Sequence, residues 1–442
     1  MRRFLITNVA RKEVFMYIHE HDNWPHFRWD NDKIAIALDK ACRALGMLYG
    51  RLSNLGFDDK LRAIAENLTL DVVQSSEIEG IHLNSEDVRS SIARRLGIDS
   101  IKQNDSSSHY IDGVVNVMVD AMEHYDNELT KDKLCAWQSA FFPTGYSGGS
   151  KIEVGCYRTH EEHIVSGYLG RERIHYIAPS PQRVEEEMAR FIDWFNAMPA
   201  EPYIIRSAIA HLWFVSIHPF EDGNGRLSRI LSDIMLARGD KSPFRFYNTS
   251  TAINRDKRHY YSILERVQHG DCDITEWLVW FVNTLILSID EANSIVSTVL
   301  NKSIFWTKAA AISLNNRQID TLNRFLDGYE AKITSKSWAA LNKCSKDTAI
   351  RDIKDLVDKG LLHEDIPGAK RPSYSIYVDD DMVKDFNDIA VVEVDGIYHL
   401  KGKYKGNKIV HERLLDLDAK RYLAGDIPLK HLIVKYCSYL AT

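Results

Sequence analysis

Apolar residues recur at helical spacing along most of this chain. Ile205, Ala208, Ile209, Leu212 and Val215 fall on one face of a helix. Pro219 ends that pattern, because it lacks an N–H and disfavours helix at the residue before it. A second stripe follows at Leu227, Ile230, Leu231, Ile234 and Met235. The pattern predicts helix, tight polar loop, helix. Upstream, Leu38, Ala41, Leu45, Leu48 and Leu52 predict a helix from Ile34 to about Leu55, and Ile64, Ala65 and Leu68 predict another from Lys60 to Glu79. Helical patterns also cover Val114 to Tyr125, Leu134 to Phe142, Arg183 to Met198, Ala252 to Gln268 and Asp271 to Ile289. His163 to Ser166 and Arg173 to Ile177 alternate as two short strands. Thr144 to Ser150, rich in Gly and Ser, reads as a mobile connection, and Lys102 to Ser108 as a surface loop. Trp24, Phe27 and Trp29 read as an extended segment packing on helices.

A domain boundary is expected near Asn301 to Ser303. Beyond it Asn316 to Leu326, Ser335 to Leu341 and Ser345 to Lys359 predict three short helices. Ser345 caps the last and Gly360 ends it. Leu361 to Tyr377 reads as a β-wing, so the order looks like a winged helix-turn-helix. Its presumed recognition helix carries Lys346, Arg351 and Lys354, but also Asp347, Asp352 and Asp355. DNA binding and protein interaction are weighed equally there. The tail from about Asp380 has strand-like runs at Val391 to Val394, Ile397 to Tyr404 and Ile409 to Arg413, and no motif with chemistry.

Composition narrows the class. At 442 residues and 45% hydrophobic content, the chain should form two to four globular domains. A net charge of −6 argues against a protein that coats nucleic acid. The six cysteines are scattered, which fits free thiols in a reducing compartment. No secretory signal is evident, and the apolar run Trp277 to Ile289 is too short to span a membrane. A cytoplasmic protein without membrane contact is expected.

The polar loop is the one stretch that folding alone does not explain. It reads His218-Pro-Phe-Glu-Asp-Gly-Asn-Gly-Arg-Leu-Ser-Arg229. Gly223, Asn224 and Gly225 suit positive backbone dihedrals and turn successive N–H groups into a nest. The following helix points its positive end the same way. Arg226 and Arg229 share a face. His218 stands at the rim as a potential base, and Asp222 as a carboxylate able to hold Mg²⁺. These parts suit transfer of a phosphoryl or nucleotidyl group from a nucleoside triphosphate to a hydroxyl.

The loop satisfies His-x-Phe-x-Asp/Glu-Gly-Asn-Gly-Arg-x-x-Arg without a mismatch, and the chain resembles the Fic family. Ser75-Ser76-Glu77-Ile78-Glu79-Gly80 resembles the inhibitory motif of that family, Ser/Thr-x-x-x-Glu-Gly/Asn. Ser75 and Glu79 then share a helical face, and Glu79 sits at the disfavoured negative end of the helix dipole. The resemblance implies AMP transfer from ATP to a Ser, Thr or Tyr hydroxyl of a protein. His218 would be the base and Asp222 the Mg²⁺ ligand. Gly223, Asn224 and Gly225 would cradle the α- and β-phosphates, Arg226 would hold the β- and Arg229 the γ-phosphate. Phe220 would anchor the loop, and Glu79 would compete for Arg229. Tyr260 and Tyr261 are either an adenine wall or core. The hairpin near 163–177 would be the flap that docks a target protein by strand addition.

The expected fold is mainly α: a Fic-type helical bundle with a small β-hairpin flap, a C-terminal winged helix-turn-helix and a small α+β tail. Residues 1–110 would form an N-terminal helical region with the inhibitory helix at about 60–80, 111–300 the catalytic core, 305–380 the winged-helix-like domain and 381–442 the tail. Auto-modification and a homodimer are admitted by the sequence. Two other functions stay open: a Fic enzyme that removes AMP or moves another nucleotidyl or phosphoryl group, and a nucleotide-sensing DNA-binding regulator.

Overall fold

The computed structural model describes residues 16–53, 57–98, 108–166, 173–198, 200–243, 245–326, 332–365, 368–376, 386–394, 396–405, 408–414, 416–424 and 429–437. The fold is mainly helical. The chain forms two compact units, one of Met1–Arg43 with Phe57–Ser288 and one of Ala44–Gly56 with Ile289–Thr442.

The first unit opens with Trp24 and Phe27, whose rings meet Trp213 at 6.2 and 5.8 Å. The expected packing role of this segment is what the structure has. Helices α1 (Asn31–Leu52), α2 (Phe57–Ile78) and α3 (Ser85–Leu96) follow. The α2 helix stops at Gly80, whose φ of 78° no side chain favours. Here Ile81 N–H donates to Ser76 O at 3.0 Å and closes the last turn around Glu79. The α3 helix was not foreseen. Its signal is local: Asn84 accepts from the N–H groups of Glu86 and Asp87, and Gly97 ends the helix at φ 66°.

Next come α4 (His109–Glu123), α5 (Lys131–Phe141), the strands β1 (Tyr146–Ser147) and β2 (Ser150–Lys151), then β3 (His163–Ser166) and β4 (Arg173–Ile177). Thr144 to Ser150 therefore contains a paired turn where a mobile connection was expected. Strands β3 and β4 pair antiparallel, as the alternation predicts. After α6 (Pro181–Asn196), the central pair α7 (Tyr203–Ile217) and α8 (Asn224–Asp240) forms the core. Every residue of α7 from Ile204 to Ile217 is buried. Ala252 to Gln268 is two helices, α9 (Thr249–Arg255) and α10 (Lys257–Gln268), not one. The α11 helix runs from Thr275 to Ala309, straight through the boundary expected at Asn301 to Ser303. No Gly or Pro interrupts those polar residues, so the helix continues.

In the second unit, α12 (Asn316–Leu326), α13 (Ser335–Asn342) and α14 (Lys346–Asp358) precede an antiparallel hairpin of β5 (Leu362–Glu364) and β6 (Tyr374–Ile376). Ser345 caps α14 by accepting from Thr348 N–H at 3.2 Å. The tail is α+β, as expected: an antiparallel sheet of β7 (Phe386–Val394), β8 (Ile397–Tyr404) and β9 (Lys408–Arg413), with two helices whose positions were not predicted, α15 (Asp416–Leu423) and α16 (Leu429–Cys437). The loop predicted at Lys102 to Ser108 lies, but for Ser108, outside the described residues. Among the described residues no helix is long and apolar enough to cross a membrane.

Candidate active site

The α7 helix ends on His218, which caps it in a left-handed conformation, φ 51° and ψ 60°. Its N–H still donates to Phe214 O at 3.0 Å. Its Nδ1 lies 3.1 Å from Val215 O, which assigns the ring proton to Nδ1 and leaves Nε2 as an acceptor. Burial pushes the pKa down to about 4; the hydrogen bond to Val215, Glu79 and Asp222 oppose this, and Arg158 adds to it. The ring is therefore neutral at neutral pH, the state a base needs.

Phe220 drives the loop into the core. It is fully buried, with its ring 5.4 Å from that of Tyr157. Asn224 braces the turn with both polar atoms of its side chain: Oδ1 accepts from Phe220 N–H at 3.0 Å and Nδ2 donates to Phe220 O at 2.7 Å. What Asn224 can offer an anion is therefore its main-chain N–H. Gly223 has φ 93°, and a Cβ there would come within 3.3 Å of the Phe141 and Phe142 rings. The first turn of α8 begins immediately, so its N–H groups have no intrahelical acceptors. Of the three residues expected at positive dihedrals only Gly223 takes one; Asn224 and Gly225 are already helical, so the anion site is one left-handed turn followed by the helix start.

Asp222 accepts from Ser147 Oγ and, at 2.5 Å, from Gly223 N–H. It stays partly exposed, with Arg226 4.0 Å away. Among the described residues no group of three or more His, Cys, Asp or Glu could hold a metal ion alone. A single hard carboxylate beside an anion site fits Mg²⁺, which takes its other ligands from phosphates and water.

Both arginines are buried and pre-positioned. Arg226 donates to Tyr110 OH at 2.8 Å and stacks on Phe141 and Phe142, 4.5 and 5.0 Å from their centroids. Its Nε has no partner. Arg229 donates from Nε to Ser75 Oγ at 2.8 Å, and from Nη2 to Ser75 O at 2.9 Å and Glu79 Oε1 at 2.8 Å. Its Nη1 is buried without a partner. Burial works most strongly against the charge on Arg229, but Glu79, Tyr260 and Tyr261 together outweigh it and the net shift is upward. The end of α2 is held from the other side, where Lys257 Nζ donates to Glu77 O and Tyr261 OH to Ile78 O.

The structure thus gathers His218, Asp222, Gly223, Asn224, Gly225, Arg226, Arg229, Ser75 and Glu79 in one place. Tyr260 belongs to the core: it is 1% exposed, hydrogen-bonded to His211 and packed on Trp277 and Trp280. Tyr261 is 43% exposed and stands on the open side. Tyr110, Ser147 and Arg158 were missed. Each reaches the site from a distant segment, and no local pattern marks it.

Residues 128–236, from just before α5 nearly to the end of α8, match the Fic/DOC family. This stretch is a Fic/DOC domain. Residues 17–98, which include Ser75 and Glu79, match a domain family of unknown function, DUF4172. The protein adenylyltransferase Fic of Nematostella vectensis is 31% identical over 126 residues, 27% of this chain and 25% of that protein. The protein adenylyltransferase fic-1 of Caenorhabditis elegans is 36% identical over 95 residues, 21% of this chain and 17% of that protein. The match thus spans a quarter or less of these two relatives. A Fic family protein from Desulfovibrio desulfuricans G20 superposes with a TM-score of 0.46 at 21% identity, covering 78% of this chain and 96% of that one.

The hairpin β3–β4 stands beside the loop. Tyr176 of β4 donates from its hydroxyl to Ser216 O at 2.9 Å, two residues before His218. His175 and Arg173 tie the same strand to Glu265 of α10 at 2.8 and 2.6 Å.

Proposed function

We propose that this Fic protein transfers AMP from ATP to a hydroxyl of a protein side chain, releasing pyrophosphate, and that Glu79 restrains it. One observation carries the reading. Arg229 stands at an anion-binding helix start with Nη1 unpartnered, while Ser75 and Glu79 occupy its other bonds. The names of the relatives support AMP as the group transferred.

On this reading His218 Nε2 takes the proton of the target hydroxyl. The hydroxyl oxygen attacks the α-phosphorus, and the bond to the bridging oxygen breaks as pyrophosphate leaves. The nest N–H groups at Gly223, Asn224 and Gly225 hold the phosphate oxygens, Arg226 the β-phosphate and Arg229 the γ-phosphate. Mg²⁺ bound at Asp222 would offset phosphate charge. The exposed edges of β3 and β4 would receive an extended target segment. With Glu79 on Arg229 the γ-phosphate loses its partner and the α-phosphate its alignment. Misplacement of about 1 Å costs about 100-fold in rate. Incubation of wild type, Glu79→Gly and His218→Ala with labelled ATP tests this: incorporation should rise in the first variant and vanish in the second.

A second role is favoured for the helical segment of the second unit. Asp352 is bonded by Arg317, Asn315 and Trp338, and Asp355 by Lys359 and Gln318. Asp352 is thus spent inside the fold and Asp355 is paired at the surface, while Lys346, Arg351, Lys354, Lys370 and Arg371 remain exposed beside the acids Asp347 and Asp358. Withdrawal of Asp352 leaves that face slightly more basic than its sequence, which supports contact with the phosphates of duplex DNA. Anisotropy of a labelled duplex titrated with the full chain should show binding that weakens steeply with salt and is lost in Arg351→Ala/Lys354→Ala. Absence of binding at low salt contradicts it.

A further inference from the structure

We infer that Arg158 is the positioning residue that registers the flap against His218; the catalytic part of this inference rests on the function proposed above. Arg158 is 2% exposed, and among the described residues no carboxylate lies within ion-pair distance of it. Its guanidinium is spent on main-chain carbonyls. Nε donates to His218 O at 2.7 Å, Nη1 to His160 O at 2.8 Å, and Nη2 to Pro179 O at 2.6 Å and Ile217 O at 3.4 Å. Its own N–H donates to Pro219 O at 2.9 Å.

Those acceptors belong to two places. His160 and Pro179 flank the hairpin, three residues before β3 and two after β4. Ile217, His218 and Pro219 are the end of α7 and the start of the catalytic loop. One planar fork therefore fastens both roots of the flap to the main chain of the base.

The end of α7 explains why an arginine belongs here. A helix leaves its last carbonyls without intrahelical donors. In this helix the last carbonyls are met from outside: Val215 O by the His218 ring, Ser216 O by Tyr176 of the flap, Ile217 O by Arg158. The negative end of the helix, four carbonyls and the more distant charge of Glu162 offset burial, so the buried cation is tolerated. A lysine has the charge but not the planar fork, and cannot reach both roots at once.

Two consequences follow. The carbonyl of His218 is fixed, which holds the residue in its left-handed conformation and aims Nε2. The cation beside the ring also favours its neutral form. A target segment added to the flap is then aligned to the base through one side chain.

The test uses the full chain with ¹³C-labelled histidine, His218 being assigned by its loss in His218→Ala. In wild type the His218 ring should titrate well below the ordinary range. In Arg158→Met it should titrate at least about one pH unit higher. In Arg158→Lys it should stay low, because the charge remains, while amide exchange of β4 should quicken about tenfold as the flap root is released. In the Glu79→Gly background both variants should lose about 100-fold in kcat with the KM for ATP unchanged. An unshifted His218 in a folded Arg158→Met protein, or wild-type exchange and kcat in Arg158→Lys, overturns the inference. If Arg158→Met does not fold, the Arg158→Lys arm decides. The titration and exchange need no turnover, so absence of AMP transfer would sink the proposed function and leave this reading standing.

Discussion

Glu79 Oε1 lies 2.2 Å from where a Cβ on Gly225 would stand. Only a glycine at the start of α8 lets the carboxylate come down beside the nest and reach Arg229. The same bare surface is what a phosphate oxygen needs. Gly225→Ala should therefore displace Glu79 without imitating its removal, because the methyl group stays where the anion must pass. Calorimetry in the Glu79→Gly background should show ATP bound at least about tenfold more weakly when Gly225→Ala is added. Unchanged affinity would put the phosphates elsewhere.

Ser75 holds Arg229 twice, through its hydroxyl and its carbonyl. Ser75→Ala removes one bond and leaves Glu79 in place. Labelling should rise above wild type but stay well below Glu79→Gly, by a difference of about 1 kcal/mol per lost hydrogen bond. A Ser75→Ala protein as active as Glu79→Gly would mean that the serine, not the carboxylate, is the restraint.

The pKa of His218 is pushed down to about 4, against an ordinary 6.5. A base works in its neutral form, which prevails above its pKa. The kcat/KM of Glu79→Gly should therefore show no acid limb near 6.5 and stay flat down to about pH 5.5. A tenfold fall per pH unit below 6.5 would show a ring titrating as if in water.

A buried cluster joins α2 to α8. Arg245 lies 2.7 Å from Asp233 of α8 and 4.0 Å from Asp71 of α2. One cation faces two carboxylates. Asp71 Oδ1 and Asp233 Oδ2 otherwise lack partners. Burial pushes Asp233 up to about 7; Arg245 opposes this and Asp71 reinforces it. The folded state thus holds a proton that the unfolded chain, at 3.8, has given up. Stability from this group falls as pH rises from about 4 to about 7. Thermal melting should drop by several degrees, about 4–8 °C per kcal/mol in small domains and less here, between pH 5 and pH 8. Asp71→Asn should flatten that slope. Parallel slopes in the two proteins would contradict the shared proton.

Phe220 is the apolar anchor of the loop. Phe220→Ala should cost about 3–5 kcal/mol by cavity formation, read as a lower midpoint in denaturant. Loss of less than about 1 kcal/mol would show a loop that holds its shape without the ring.

How much of this was legible in the sequence depended on range. The pair α7 and α8, the loop between them, the stop at Gly80 and the strands of the flap are local: a 3.6 period, a proline, glycines, an alternation. They were readable from neighbours in the chain. The hold of Ser75 and Glu79 on Arg229 spans about 150 residues and followed only from a motif resemblance. Tyr110 beside Arg226 and Arg158 beneath His218 were not readable, because an isolated tyrosine or arginine carries no periodicity. Nor was the inward turn of Asp352, whose partners Arg317 and Trp338 lie on other helices. The α11 helix misled for the opposite reason. Asn301 to Ser303 look like a linker locally, yet nothing in them breaks a helix already running.

The most direct measurement compares ATP labelled at the α-phosphate with ATP labelled at the γ-phosphate, in Glu79→Gly and wild-type protein. The account predicts that α-label becomes covalently attached to protein, that γ-label leaves as pyrophosphate, that Glu79→Gly exceeds wild type, and that His218→Ala abolishes the signal. Covalent γ-label, or equal α-label in wild type and Glu79→Gly, would contradict it.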